Sequence, residues 1–473
     1  MSMRAVLSLS LAAALAACSG GGGRTIPPLG SATSATTGAP AAVPVLKLVG
    51  VGDSLTAGVQ SNGLMGSDVA ASALPLGFVQ ATQTHGFWAL LWSQANGAAV
   101  NIPATSPLPL IAPPGLGQIL APADAAGDLT SITTACGANN AIAYAYSTAL
   151  GTRLAPNVVP YDVAIPGQTV HEALYQIGPQ AGCGVPVNAG VFGGLANIVG
   201  SESNTFYPIL GNFPRNSTQV AAAAGLHGSI DTVWLGFNDL IKYGDGLGAL
   251  PPTDPAALQT DVVAIVKALQ ASGAKVAVAN LFDVLHAAFY VAQPLLPQVF
   301  TARLTPVLGA AAAAVAGPQL AAQVDAAYGL GSNGYLTVSG LTKVLGAVAK
   351  GQTLPQLGGG DYIPDAVALK IAALNSAYNA AIGAAVTQTG ATLVDVRTPI
   401  DAVFAAGGIP ISAKCCGILY GEGIFSLDGL HPSNTAYAVI ANIFIKTLDA
   451  AFGTSIPAVD VSAVYATDPY APH

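Results

Sequence analysis

Hydrophobic and polar positions along the chain fall into two patterns that take turns. Five short runs are continuously apolar: "KLVGVGDS" (47–54), "YDVAIPG" (161–167), "TVWLGFND" (232–239), "KVAVANLFDV" (275–284) and "ATLVDVR" (391–397). Runs of this length that are continuous rather than alternating predict strands covered on both faces, as in a parallel sheet. Between them the pattern takes the period of a helix. "TDPAALQTDVVAIVKALQASG" (253–273) opens with Asp254 as N-cap and Pro255 at the first helical position, and stops at Gly273. Residues 363–390 and 431–452 repeat apolar positions at the same spacing. Strands alternating with helices predict an open α/β sheet with helices on both faces. Two stretches, about 59–160 and 285–362, are longer than connections need and rich in Gly, Pro and Ala. They read as insertions after the first and fourth strands. No repeat of fixed period is present.

Composition changes this picture at the surface and at the N-terminus. The 473 residues suit two domains or one enlarged domain. Only 8% are charged while 52% are hydrophobic, so the surface must be polar through hydroxyls and backbone. Mean hydropathy is +0.56. After the first twenty residues, however, Gly, Pro, Asn or Asp interrupts every candidate span of about 18 residues. The expectation is an exported soluble body. A net charge of −8, with no cluster of Lys or Arg, offers no basic face to phosphates and excludes nucleic acid as a partner.

"MSMRAVLSLSLAAALAACSG" has the form of a secretory signal. Leu15-Ala16-Ala17-Cys18 resembles a bacterial lipobox, which implies that residues 1–17 are removed and Cys18 is acylated. Ser19 fits release to an outer membrane. Residues 18–46 then form a lipid-anchored flexible tether with a mean reach of roughly 30 Å. Four other cysteines permit three pairings. Cys136 with Cys183 is the simplest, while the adjacent Cys415 and Cys416 bridge each other, stay reduced or pair elsewhere. No spacing suggests a metal site.

Four clusters fall at the carboxyl ends of expected strands, where ligands sit in open α/β sheets. In "VGVGDSLTAG" (49–58), Gly50 and Gly52 begin a dinucleotide fingerprint, but Leu55 stands at its last position and no P-loop lysine follows. A turn in which Asp53 or Ser54 caps the next helix is the plain alternative. Gly167 in "AIPGQT" permits a close backbone approach to a ligand. In "LGFND", Asn238 either donates to a developing oxyanion or, with Asp239, caps a helix. In "FSLDGLHPSN", Asp428 and His431 are three apart, and Pro432 keeps His431 out of helical geometry. An Asp placed so can accept from one imidazole nitrogen while the other faces a nucleophile. His85, beside Phe87 and Trp88, reads as a packed histidine that could line a pocket. His473 is expected to be disordered.

Together the four blocks resemble the SGNH, or GDSL-type, hydrolase superfamily, and more narrowly its bacterial lipoprotein members through "GDSLTAGVQ", "HGFWALL" (85–91) and "GIFSLDGLHPSNTAYAVIANIFI" (423–445). The resemblance covers roughly 47–452 outside the two insertions. It implies a three-layer α/β/α sandwich with a five-stranded parallel sheet, the flavodoxin-like SGNH fold, as a hydrolase domain over 47–455 followed by a tail at 456–473. It implies Ser54 as nucleophile, His431 as base and then acid, Asp428 as its orienter, and an oxyanion hole from the Ser54 and Gly167 N–H groups and the Asn238 side chain. No cofactor or metal is expected. The expected protein is a monomeric, lipid-anchored, extracytoplasmic esterase or lipase acting on a carboxylic ester. The alternatives are a carbohydrate O-deacetylase of the same fold and a non-catalytic surface binding lipoprotein. "KCCG" just before the last block has no place in the pattern. No G-x-S-x-G surrounds Ser54, which disfavours an α/β-hydrolase fold.

Overall fold

Every residue of strand β1 (Leu48–Gly52) is buried, as a continuous apolar run covered on both faces requires. The computed structural model describes residues 46–61, 63–68, 80–113, 115–117, 119–122, 129–132, 153–176, 209–214, 217–412 and 415–473. In it β1 pairs in parallel with β2 (Ile230–Trp234), Leu48 lying opposite Ile230 and Gly52 opposite Trp234. β2 pairs with β3 (Lys275–Ala279), and β3 with β7 (Thr392–Val394), all parallel. The result is a four-stranded parallel sheet in the order β1-β2-β3-β7. Residues 161–165 lie alongside β1, joined by Val163 N–H to Gly50 O at 3.0 Å and Ile165 N–H to Gly52 O at 3.1 Å. Only Gly50 and Asp162 form a bridge pair. The ladder does not continue for two reasons. The Gly52 N–H donates to Gln219 Oε1 at 3.0 Å, and the Ala164 N–H folds back to Asp162 Oδ1 at 3.0 Å.

Helices cover both sides of the sheet. On one, α2 (Phe87–Asn96) packs on α12 (Asn434–Phe452). Phe87 and Phe444 stack at 4.7 Å, and Trp234 of β2 meets the Phe87 ring edge-on at 5.2 Å. Such pairs add roughly 0.5–1.5 kcal/mol beyond the area they bury. α2 therefore belongs to the sheet's own core, although it falls within the first expected insertion. α12 has the length and apolarity of a membrane-crossing helix, yet half of that window is buried inside the protein. On the other side α6 (Pro255–Ala271) packs on α10 (Asp365–Thr389), with α3 (Val170–Tyr175) and α4 (Gln219–Gly225) against α6. Asp254 caps α6 through the Ala256 and Ala257 N–H groups, with Pro255 at its start, as the sequence predicts.

The second insertion is a structured unit. It contains the antiparallel strands β4 (Tyr290–Ala292), β5 (Tyr335–Thr337) and β6 (Tyr362–Ile363), and helices α7 (Leu296–Leu308), α8 (Ala310–Tyr328) and α9 (Val338–Ala349). Leu296, Phe300, Val324, Leu336 and Val344 form a core separate from that of the sheet. Cys415 and Cys416 are bridged to each other by a disulfide, and Cys416 exchanges two backbone hydrogen bonds with Ile409. Cys18, Cys136 and Cys183 lie outside the described residues. Residues 456–473 fold back on α12 instead of trailing away. Asp468 Oδ2 accepts from the Thr435 N–H at 2.8 Å and its hydroxyl at 2.7 Å, Tyr470 lies near the Ser61 side chain, and His473 Nε2 lies 2.9 Å from Asp468 O. The expected disorder of His473 is therefore corrected: the buried Asp468 carboxylate supplies the anchor that its sequence neighbours did not announce.

Candidate active site

Ser54 is the first residue of α1 (Ser54–Ala57), a single helical turn that starts where β1 ends. Asp53 caps it by accepting the Leu55 N–H at 3.0 Å. Gly58 closes it at φ 78°, its N–H returning to Ser54 O. That backbone conformation suits glycine and strains most other residues. The strand-turn-turn geometry holds the serine at the carboxyl edge of the sheet. Asp53 is fully enclosed, and burial pushes its carboxyl up to about 7 despite the Leu55 N–H and the His431 charge, which pull it down.

His431 sits in a turn built around Asp428. One carboxylate oxygen accepts the Leu430 and His431 N–H groups, both at 2.8 Å; the other lies 2.8 Å from His431 Nδ1. Both side chains are buried. Burial alone would raise the Asp428 carboxyl. The His431 charge and these hydrogen bonds outweigh it and hold the group below its ordinary value. A carboxylate at Nδ1 assigns the proton to that nitrogen and leaves Nε2 as acceptor, the form a general base needs.

Five hydrogen bonds bring the two loops together. Gln60 Nε2 donates to Pro432 O at 3.1 Å and Asn434 Oδ1 at 2.8 Å. The Ser61 N–H donates to Ser426 Oγ at 2.9 Å, and Ser61 Oγ accepts the Leu427 N–H at 3.3 Å. The Tyr437 hydroxyl donates to Val59 O at 2.9 Å. Among the described residues no hydrogen bond joins Ser54 Oγ to His431 Nε2. Contacts of this kind commonly tighten only around a bound substrate.

The other two blocks meet at the same corner. Gly167 follows residues 161–165 at φ 87°. Asn238, near the start of α5 (Phe237–Asp245), donates its amide to Asp53 Oδ2 at 3.2 Å and to Gln168 O at 3.0 Å. Asn238 is therefore not a helix cap; α5 has no side-chain cap at all. Asp239 ties this corner to α3, accepting the Val170 N–H at 3.1 Å and the Thr253 hydroxyl at 2.7 Å. Burial raises its carboxyl to about 6 against those two bonds. Gln219 completes the frame. Its amide donates to Gly52 O at 2.8 Å and to Gln168 Oε1 at 2.9 Å.

The sequence pattern did not single out Gln60, Gln168 or Gln219, because a glutamine carries no motif and its partners here lie far along the chain. His85 is held by Ala81 O at 2.8 Å from Nδ1; burial lowers its pKa, and it packs as the plain reading expects. His171 pairs with Asp261 at 2.9 Å on the surface. Comparison with family models, curated proteins and solved structures gives no match to this chain.

Proposed function

We propose that the protein is a serine hydrolase of carboxylic esters on an SGNH-type fold, in which residues 161–165 serve as the fifth strand. The observation that carries this reading is the buried Asp428–His431 pair at 2.8 Å, on a turn stitched to the loop that leaves Ser54. His431 Nε2 takes the hydroxyl proton of Ser54 as its Oγ attacks the ester carbonyl. Asp428 keeps the imidazole oriented and stabilises it once it is charged. The tetrahedral oxyanion receives the N–H groups of Ser54 and Gly167, which form no hydrogen bond among the described residues, and one Asn238 amide hydrogen drawn away from Asp53. Each donor lowers the barrier by about 3 kcal/mol. His431 then returns the proton to the departing alcohol, and water repeats the sequence on the acyl-enzyme.

Under the same proposal, Cys18 carries a lipid that anchors a monomer to the outer face of the cell envelope. Ser54→Ala tests the chemistry. It should abolish hydrolysis of p-nitrophenyl esters and labelling by a fluorophosphonate while leaving the melting temperature within a few degrees. Labelling of the alanine variant at the wild-type level would remove Ser54 from the reaction.

A further inference from the structure

A cleft of about 1240 Å³ opens between the second insertion and residues 401–405 and 418–422, and none of the residues assigned to ester cleavage lines it. Val299 of α7, Leu341 and Leu345 of α9, and Phe404 of α11 (Arg397–Ala405) make its walls apolar. The two acidic groups in the lining are engaged to different extents. Asp401 Oδ2 accepts Arg397 Nε at 3.3 Å, while its Oδ1 faces His286 Nδ1 at 3.7 Å without a hydrogen bond. Glu422 accepts the Leu419 N–H at 3.1 Å. Arg303 differs: it is exposed and forms no ion pair among the described residues.

Tyr420 lines the same cleft as Arg303, and its hydroxyl donates to Leu427 O at 2.7 Å. Phe289, at the start of the insertion, donates its N–H to Gly429 O, also at 2.7 Å. The wall of the cleft that Tyr420 forms therefore backs onto the turn that carries Asp428 and His431. A mostly apolar cleft with one exposed cation in its lining complements an apolar chain with an anionic head.

We infer that this cleft binds a long linear acyl chain, with its carboxylate at Arg303 and its tail among Val299, Leu341 and Leu345. Binding of the free acid stands apart from the esterase reading. Only the further point, that the chain held is the acyl part of the ester substrate, rests on it.

The test uses the full chain carrying Ser54→Ala, titrated with cis-parinaric acid, whose fluorescence rises in an apolar site. Palmitate should displace the probe more strongly than hexadecanol. Arg303→Gln should weaken palmitate about fivefold, the range of a solvent-screened ion pair, and leave hexadecanol unchanged. Gly346→Phe fills the cleft from α9, where an added Cβ meets no atom within 4 Å. It should weaken probe binding at least tenfold with no fall in melting temperature. No saturable probe binding, or binding indifferent to both variants, would overturn the inference. With Ser54 present, a fall of at least tenfold in the palmitoyl-to-butyryl turnover ratio on Gly346→Phe assigns the chain to the ester. An unchanged ratio with palmitate binding lost assigns it to the free acid. Probe binding by a wild-type protein that cleaves no ester would sink the esterase reading and leave the cleft standing.

Discussion

Both amide hydrogens of Asn238 are committed, one to Asp53 Oδ2 and the other to Gln168 O. Under the proposed chemistry, an oxyanion at Ser54 must compete with Asp53 for a donor. The competition is eased because the Asp53 carboxyl, raised to about 7 by burial, holds a proton in many molecules at neutral pH and then attracts the amide less. Asn238→Ala should lower kcat on a short ester by roughly 10²–10³ with KM within about twofold, since the interaction belongs to the transition state. It should also cost about 1–3 kcal/mol of stability by stranding the buried acceptors. Steady-state kinetics beside denaturant unfolding separate the two effects. A stability loss with kcat intact would leave Asn238 only as the tie between Asp53 and Gln168. At this scale the sequence was most legible where chemistry is local. Asp428 and His431 are three residues apart and meet through one turn. Gln60 and Asn434 are 374 apart, and no residue type or spacing announces their contact.

Among the elements, α4 has an importance out of proportion to its length. Its first residue, Gln219, bonds both the N–H and the O of Gly52 and also reaches Gln168. It takes the place of a strand neighbour at the end of β1 and fixes the loop that presents Gly167. Gln219→Leu keeps the bulk and removes all three bonds, leaving the buried Gly52 N–H unpaired while Gly52 O keeps the Ile165 N–H. The denaturant midpoint should fall by the equivalent of about 3 kcal/mol with an unchanged m-value, and ester turnover should fall with it. α6 was legible to within two residues because its cap, its proline and its period agree. α1 was not, since four residues carry no period. The second insertion showed only as excess length. Its helix α8 is mostly alanine, and small side chains blur the contrast between buried and exposed faces that reveals a helix in a sequence.

For the molecule as a whole, the buried acids set how stability depends on pH. Asp231 is enclosed with both carboxylate oxygens lacking a hydrogen-bond partner among the described residues, and burial raises it from 3.8 to about 7. Asp53 and Asp239 are raised to about 7 and about 6. The native state keeps protons that the unfolded chain loses near 3.8, so this stabilisation is complete below about pH 4 and is lost as pH rises through 6 to 7. Asp428 has the opposite sign, its contribution lost only as pH falls through its depressed value. The melting temperature should therefore decline from about pH 5 to pH 8. Asp231→Asn should flatten that decline by up to about 1.4 kcal/mol per pH unit and raise the melting temperature at pH 8. A scan series in which the variant runs parallel to the wild type would remove Asp231 as a source.

The folding back of residues 456–473 bears on the order in which the protein can be assembled. Ser54 is made early, but the loop beyond it finds its partners only when residues 426–437 exist, and Thr435 finds its own only at Asp468. A nascent chain halted after α12 would hold every residue of the proposed triad and all five bonds between its loops, and would lack only the contacts that Asp468 and Tyr470 add. Residues 456–473 thus add a late fastening to a corner whose two loops are already joined, and the start of α12 is its point of attachment.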